Sequence, residues 1–195
     1  MNVKIKDTEL LSDNWYILKK YTLDYEKKDG TWDTQVREVY DRGNGAVILL
    51  YHRTKKTVIL TRQFRLPTLL NDNPTGMLIE ACAGLLEEEG AEEAIRRETE
   101  EETGYVIGSV EKIYQAYMSP GSVTEILHFY IGEYTAHMKV SEGGGLATEH
   151  EEIEVLELDF EEVYGMIASG DVRDAKTIML LQYIKLHEAN LFDVV

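Results

Sequence analysis

Residues 83–105 of this chain read AGLLEEEGAEEAIRRETEEETGY, and this stretch is the most informative part of the sequence. Gly90 and Gly104 are typical of residues at which a helix begins and ends, so the spacing predicts a helix over Ala91–Thr103. The apolar segment Met77–Ala81 in front of it predicts a strand. A strand that leads into a charged helix indicates a fold that combines helices with a sheet.

Two glutamates of this helix fall on the side where apolar residues are expected. At about 100° per residue, Glu98 and Glu102 share roughly one sixth of the circumference with Ala91 and Ile95. The opposite side, which we expect to face water, carries Glu93, Arg97 and Glu100.

Burying two like charges one turn apart is unfavourable unless a cation lies between them. Oxygen ligands suit a hard divalent ion, so Glu98 and Glu102 predict a site for Mg²⁺, with Mn²⁺ as an alternative. A solvated glutamate-rich helix surface is the other interpretation, but Glu93 and Glu100 already fill that role.

The same stretch resembles the Nudix box. That pattern is Gly, five residues, Glu, seven residues, Arg-Glu, a hydrophobic residue, any residue, Glu-Glu, any residue, Gly and a hydrophobic residue. Ala83 stands at the first glycine position with Gly84 one residue late, and Thr99 replaces a hydrophobic residue, but no carboxylate is lost. The matching positions are Glu89, Arg97-Glu98, Glu101-Glu102 and Gly104.

Composition narrows the class of protein. A chain of 195 residues with 44% hydrophobic residues can bury one good core, so one domain with an appendage is expected. No segment has the length of a membrane-spanning helix and no signal peptide is recognisable, so we expect a cytoplasmic protein. The single cysteine, Cys82, lies among apolar neighbours and predicts a buried side chain rather than a nucleophile. The net charge of -16 argues against nucleic acid or acidic membranes as partners.

Hydrophobic patterns predict the remaining elements. Asp159 is predicted to cap a helix that ends at Gly170, and a last helix is predicted from about Asp174 to His187. Periodicity alone indicates α+β or α/β, and the Nudix resemblance implies an α/β/α sandwich with a mixed sheet. An N-terminal hairpin region (1–42) would precede a Nudix hydrolase domain (43–195). Strands are predicted over 15–25, 36–40, 46–51, 58–61, 110–117, 126–134 and 153–158.

A longer resemblance covers roughly residues 10 to 187. Those residues are similar to the GDP-mannose hydrolases of the Nudix superfamily. The resemblance implies hydrolysis of GDP-mannose to GMP and mannose 1-phosphate, dependence on Mg²⁺, and a homodimer in which N-terminal strands help to build each partner's site. The segments that carry it are 11–14, 37–45, 62–65, 117–121, 143–145 and 173–177.

The resemblance also implies functional residues. Trp15 departs from the family, which more often has Tyr there, and His150 replaces an acidic residue. Glu151 could act as metal ligand or general base, with Glu149 and Glu152 as alternatives because the loop is longer here. The implied metal ligands are the Ala83 carbonyl, Glu98, Glu102 and Glu151. The implied substrate contacts are Trp15, Arg37, Glu38, Arg65, Glu125, His150 and Lys176.

Several of these residues have a second interpretation. Arg37 and Arg65 supply planar groups that fit phosphate oxygens, but either could form a surface ion pair. Trp15 could stack on a purine, or pack in the core or a dimer contact. Gly143–Gly145 could be the hinge of a lid that delivers a carboxylate, or part of a solvated loop.

The sequence leaves two other functions open. ADP-ribose hydrolases of the superfamily carry a proline near the position of Pro120, but the GDP-mannose group shares that turn. A sensor that binds nucleotide sugars without hydrolysis is the third candidate. Such a sensor would be expected to have lost carboxylates of the box, whereas Glu98, Glu101 and Glu102 are all present.

Overall fold

The computed structural model describes residues 1–146, 148 and 151–192. The chain forms two compact units. The first contains residues 1–44 and 115–127, and the second contains residues 45–114 and 128–195, of which 147, 149, 150 and 193–195 are not described.

The first unit is built around a three-stranded antiparallel sheet in the order β1-β2-β3. The strands are β1 (Val3–Asp13), β2 (Ile17–Glu26) and β3 (Trp32–Asp41). The β2–β3 hairpin confirms the sequence prediction. Strand β1 was not predicted, because its register shifts at two places and it is exposed along most of its length, which blurs the alternation.

The second unit contains most of a seven-stranded sheet with a core path β10-β5-β4-β9-β8. Strand β6 pairs with β5, and β7 pairs with β4, both antiparallel. The strands are β4 (Gly45–His52), β5 (Thr57–Phe64), β6 (Met77–Glu80), β7 (Cys82–Leu85), β8 (Glu111–Tyr117), β9 (Ile126–Glu133) and β10 (Glu154–Asp159).

Helices cover both faces of this sheet. Strand β4 is buried on both faces from Gly45 to Tyr51, as expected for a strand between two layers. Ile48 and Leu50 share one core with Ile95 of α2, while α4 also packs on β4. The helices are α1 (Leu66–Leu69), α2 (Ala91–Thr103), α3 (Phe160–Ser169), α4 (Ala175–Leu186) and α5 (Glu188–Leu191).

The predicted fold class, a mixed α/β architecture, is confirmed. Helix α2 begins after Gly90 and ends at Gly104, which adopts the left-handed conformation with φ 79°. Asp159 caps α3 by accepting hydrogen bonds from two backbone N–H groups, and Gly170 ends that helix. Within the described residues, no helix is long and apolar enough to cross a membrane.

Candidate active site

The buried side of α2 carries the two glutamates that the helical phase selected. Glu102 is only 2% exposed, and its Oε2 accepts a hydrogen bond of 3.3 Å from the Ala83 backbone N–H. The Glu98 side chain is 16% exposed. Strand β7 and helix α2 pack together, so the two carboxyl groups lie between helix and sheet.

Burial raises the pKa of both carboxyl groups. For Glu102, burial is the largest cause, the thiol of Cys82 opposes it, and the charges of Glu98 and Glu151 add to it, with a resulting pKa of about 8. For Glu98, burial is again the largest cause, Arg97 opposes it, and Glu101 and Glu151 add to it, with a pKa of about 7. Without a metal ion, the raised pKa values favour the protonated, neutral forms of both carboxyl groups. A bound divalent cation would favour their charged forms.

Gly84 leaves the space that Glu98 occupies. A Cβ at this position would overlap the carboxyl carbon and Oε1 of Glu98. The backbone of β7 and the Glu98 carboxyl group therefore approach each other more closely than any other residue at position 84 permits. Gly84, which lies one residue after the first glycine position of the box pattern, therefore has a steric role here.

The loop at 141–145 is fastened to the end of α2. The N–H groups of Gly144 and Gly145 donate to the carbonyls of Glu102 and Glu101 at 2.9 and 3.1 Å. Gly143, Gly144 and Gly145 all have positive φ values. A Cβ at Gly143 would overlap the Glu102 carbonyl. These glycines are packed on the helix end, which differs from the free hinge or solvated loop that the sequence suggested.

The same loop leads to Glu151. The Leu146 N–H donates to Glu151 Oε2 at 3.1 Å, and a Cβ at Gly145 would overlap that oxygen. The Glu151 charge acts on both Glu98 and Glu102. Glu98, Glu102 and Glu151 are up to 53 residues apart in the chain, but the fold brings them close enough for their charges to interact.

Arg97 departs from its predicted exposure, although the predicted orientation of α2 is confirmed at Glu93 and Glu100, which are both exposed. The helical phase placed it on the water-facing side, but its side chain is only 35% exposed and pairs with Glu89, Glu98 and Glu101, each at 3.0 Å. Burial lowers the pKa of Arg97, but the bond to Glu89 and the three carboxylates outweigh it and raise the pKa. Arg97 therefore stays charged and holds the acidic residues around it in place.

Oxygen donors at this place fit a hard divalent cation. Glu98, Glu102 and Glu151 supply carboxylate oxygens, and burial together with the neighbouring carboxylates raises the pKa of Glu98 despite the opposing charge of Arg97. In the described part of the chain, no three acidic, histidine or cysteine side chains already converge as a closed ligand set. A cation would have to draw these carboxylates together.

A second cluster of charges joins the residue that follows β5 to the end of β6 and the start of α4. Arg65 Nε donates to Glu80 Oε2 at 2.7 Å, and Lys176 Nζ donates to Glu80 Oε1 at 2.5 Å. Lys176 also pairs with Asp174 at 2.9 Å. Burial lowers the pKa of Lys176, but the two carboxylates outweigh it and raise the pKa, so Lys176 remains charged. A cleft of about 460 Å³ borders this cluster at Asp174 and Arg173.

Four other predicted substrate contacts, Trp15, Arg37, Glu38 and Glu125, lie in the first unit. Trp15 is 82% exposed at the β1–β2 turn, so it does not pack in the core of that unit. Arg37 donates to the Val36 carbonyl and to the Gln35 side chain at 2.8 and 2.9 Å. Because successive residues of a strand point to opposite faces, Arg37 and Glu38 project from opposite sides of the sheet.

Glu125 is held in the first unit by a cation that the sequence analysis did not select. Its side chain is 13% exposed and lies 3.7 Å from Arg42 Nε. Arg42 also lies over the ring of Tyr16, 5.5 Å from its centroid. His150 and the alternative ligand Glu149 lie outside the described residues.

Glu80 is the residue that the sequence analysis missed in the second unit. It is 4% exposed and lies in an otherwise apolar strand, between Ile79 and Ala81. A charged residue at a buried strand position is costly unless it is paired. That rule could have selected it, although only the tertiary structure identifies its partners.

The raised pKa values predict opposite effects of pH with and without metal. In metal-free protein, Glu98 and Glu102 keep their protons to about pH 7 and 8, whereas unfolded carboxyl groups lose them near 4.5. The folded state then binds more protons between these limits, so this contribution to the free energy of unfolding is fully present below about pH 4.5 and falls as pH rises to about 7 and 8. Added Mg²⁺ needs the charged forms, so its stabilisation should grow over the same range.

Urea unfolding from pH 5.5 to 8.5, in EDTA and in excess Mg²⁺, measures both effects. The variant Glu102→Gln cannot titrate at this position and is the matched control. We expect the stability of wild-type protein relative to Glu102→Gln to fall with pH in EDTA. A difference that rises with pH in EDTA would contradict this account.

Comparison with known proteins gives consistent results along most of the chain. Residues 2–40 match the family described as the GDP-mannose pyrophosphatase NudK N-terminal domain, and residues 41–181 match the family described as the NUDIX domain. Proteins named GDP-mannose pyrophosphatase are similar over nearly their full length. One from Yersinia enterocolitica is 57% identical, covering 96% of this chain and 98% of that protein. One from Pectobacterium atrosepticum is 57% identical, covering 93% of each.

Proposed function

This chain belongs to the Nudix family, and from that premise we propose that it hydrolyses the pyrophosphate bond of GDP-mannose to GMP and mannose 1-phosphate. The observation that carries the proposal is the pair of buried carboxyl groups, Glu98 and Glu102, with Glu151 beside them. The choice of GDP-mannose is supported by relatives of that name that match almost all of this chain.

Glu98, Glu102, Glu151 and the Ala83 carbonyl are the proposed ligands of Mg²⁺. When bound, this ion would neutralise charge on the pyrophosphate and increase the acidity of water. Glu102 is oriented for this role by the Ala83 N–H, and Glu98 by Arg97. Gly84 allows the close approach of strand and carboxylate.

Glu151 is the proposed general base. A water molecule attacks one phosphorus atom, its proton passes to the Glu151 carboxylate, and the anhydride P–O bond breaks with its electrons on the departing phosphate. The Arg65 guanidinium would bind phosphate oxygens, because its bond to Glu80 uses Nε and its side chain is 41% exposed. Lys176 is the second cation of this cluster.

The first unit would complete the site across a homodimer. We propose residues 1–42 as the dimerisation region of a Nudix domain that spans 43–195. The support is a sheet with apolar exposed residues, among them Ile5 at 57% and Val36 at 52%. Trp15, Arg37, Glu38, Glu125 and His150 are the proposed substrate contacts from this region and from the loops. Sedimentation that shows only monomer at micromolar concentration would contradict the shared site.

A cytoplasmic location and a small-molecule partner complete the proposal. The one cysteine, Cys82, is buried, in agreement with the sequence prediction, so the fold does not depend on a disulfide. The net charge of -16 disfavours nucleic acid and acidic membrane surfaces, and it makes local cations such as Arg65 necessary for an anionic substrate.

A substrate panel tests the proposed function. GDP-mannose, ADP-ribose and ADP-glucose are assayed side by side with Mg²⁺, with Mn²⁺ and with EDTA. We expect the highest kcat/KM for GDP-mannose, no turnover in EDTA, and GMP as one product. A strong preference for ADP-ribose would overturn the substrate assignment, and measurable binding without any phosphate bond cleavage would favour a sensor.

A further inference from the structure

Glu80 is a buried carboxylate with two different cations on its two oxygens. It ends strand β6, is 4% exposed, and accepts from Arg65 at one oxygen and from Lys176 at the other. Its backbone carbonyl accepts from the Thr61 hydroxyl at 3.2 Å. Both side-chain oxygens and the main chain of this residue are therefore held in place.

Lys176 is held in position by hydrogen bonds and an ion pair at the start of α4. Asp174 Oδ1 pairs with Lys176, while Asp174 Oδ2 accepts from the N–H and the hydroxyl of Thr177 at 2.9 and 2.6 Å. The Thr177 hydroxyl oxygen in turn accepts from the Ala81 N–H at 2.7 Å. This chain of bonds joins the helix start to the residue that follows Glu80, so Lys176 has little freedom to leave Glu80.

Arg65 is the solvent-facing end of the cluster. Its side chain is 41% exposed, compared with 14% for Lys176 and 5% for Glu80. The guanidinium group is planar, so fixing Nε on Glu80 also fixes the direction of both Nη groups. A ligand with several anionic oxygens would therefore bind two Nη groups whose direction is already fixed, and not a freely rotating side chain.

We propose that Glu80 is a positioning residue that aims the Nη edge of Arg65 at the phosphate groups of the substrate. This inference rests on the proposed function and adds a residue to it. The cluster holds two cations, Arg65 and Lys176, and two carboxylates, Glu80 and Asp174, so its formal charges cancel. Its contribution is orientation, not a general positive potential.

Charge and orientation predict opposite results for Glu80→Gln. Removing a negative charge beside Arg65 would strengthen the binding of an anion if only the local charge mattered. A glutamine has one acceptor oxygen, so it can serve Arg65 or Lys176 but not both in the observed way. If Glu80 acts by orientation, binding must weaken.

The kinetic test compares Glu80→Gln with the matched variant Glu154→Gln. Glu154 pairs with Arg62, which also lies on β5, but both side chains are about half exposed. We expect Glu80→Gln to raise KM for GDP-mannose roughly tenfold and to change kcat less than about threefold. Glu154→Gln should leave both constants unchanged. In an Arg65→Ala background, Glu80→Gln should have little further effect on KM.

A binding measurement separates this inference from the proposed reaction. Calorimetric titration with inorganic pyrophosphate in EDTA reports on the cation cluster without metal or turnover. We expect a dissociation constant roughly tenfold higher for Glu80→Gln than for wild type, and a smaller increase for Glu80→Asp, which keeps the charge and shortens the side chain. Equal or tighter binding by Glu80→Gln would overturn the inference, whatever the wild-type enzyme hydrolyses.

Melting curves show whether each Glu80 variant is folded before its binding and kinetics are compared. If Glu80→Gln does not fold, Glu80→Asp is the variant used, since it keeps a carboxylate at a buried position beside two cations. Folded Glu80→Asp with unchanged pyrophosphate binding and unchanged KM would also overturn the inference.

Discussion

Glu102→Gln is expected to lower kcat by about 10²-fold to 10³-fold or more while the fold remains intact. The side chain is buried, and its neutral form already predominates in metal-free protein at neutral pH because burial raises the pKa of Glu102 to about 8. Glutamine has the shape of that neutral form and can still accept the Ala83 N–H bond. It cannot supply the negative charge that a divalent ion requires.

The matched control is Glu100→Gln on the same helix. Glu100 is exposed, so this variant removes one carboxylate charge without touching the site. We expect near wild-type kcat for Glu100→Gln and an unchanged melting temperature for that variant in EDTA at neutral pH. Glu102→Gln should melt no lower than wild type under the same conditions, because glutamine removes the cost of keeping a proton on a buried carboxyl group. Near-normal turnover by Glu102→Gln in saturating Mg²⁺ would show that the proposed mechanism is wrong.

Gly84→Ala is expected to remove most activity by a steric route. A Cβ at this position would overlap the Glu98 carboxyl group, so either the strand or the carboxylate must move. Overpacking of this kind costs about 1–3 kcal/mol, and a displaced ligand should weaken Mg²⁺ binding by roughly ten- to a hundredfold. The measurements are the Mg²⁺ concentration for half-maximal activity and the free energy of unfolding in EDTA.

Gly165→Ala is the control for a glycine that has no such neighbour. Gly165 lies exposed within α3, and a Cβ there would meet nothing within 4 Å. Alanine should stabilise this helix by about 0.5–1 kcal/mol and leave activity unchanged. If Gly84→Ala kept wild-type Mg²⁺ dependence, the close approach of β7 and Glu98 would not matter for function.

Local pattern predicted the elements well because each depends on neighbours in the chain. The limits of α2, both of its glycines and the caps at Asp159 and Asp174 follow from short-range hydrogen bonding. The prediction for the faces of α2 was less complete. Thr99 is fully buried, because its hydroxyl group donates to the Ile95 carbonyl within the helix and needs no water.

Long-range pairing explains what the sequence could not show. Arg97 has the position of a solvent-facing residue by helical phase, yet Glu89, eight residues before it, folds back to pair with it. Arg65 and Lys176 were each predicted as substrate contacts, and the structure joins them through Glu80, which the sequence analysis did not select. Sequence periodicity carries no information about which buried charges meet, because that depends on how strands and helices pack.

The resemblance to the Nudix family implied the mixed α/β class. Local sequence patterns were sufficient to predict helix α2 and the place of Glu98 and Glu102 on its buried face. These follow from a period of about 3.6 residues and from capping chemistry, which act within one or two turns. The close approach of Gly84 to Glu98 and the joining of Arg65 and Lys176 by Glu80 could be recognised only in the folded structure. Those contacts span up to 96 residues and exist only after the register of β5 and β6 and the packing of α4 bring the side chains together.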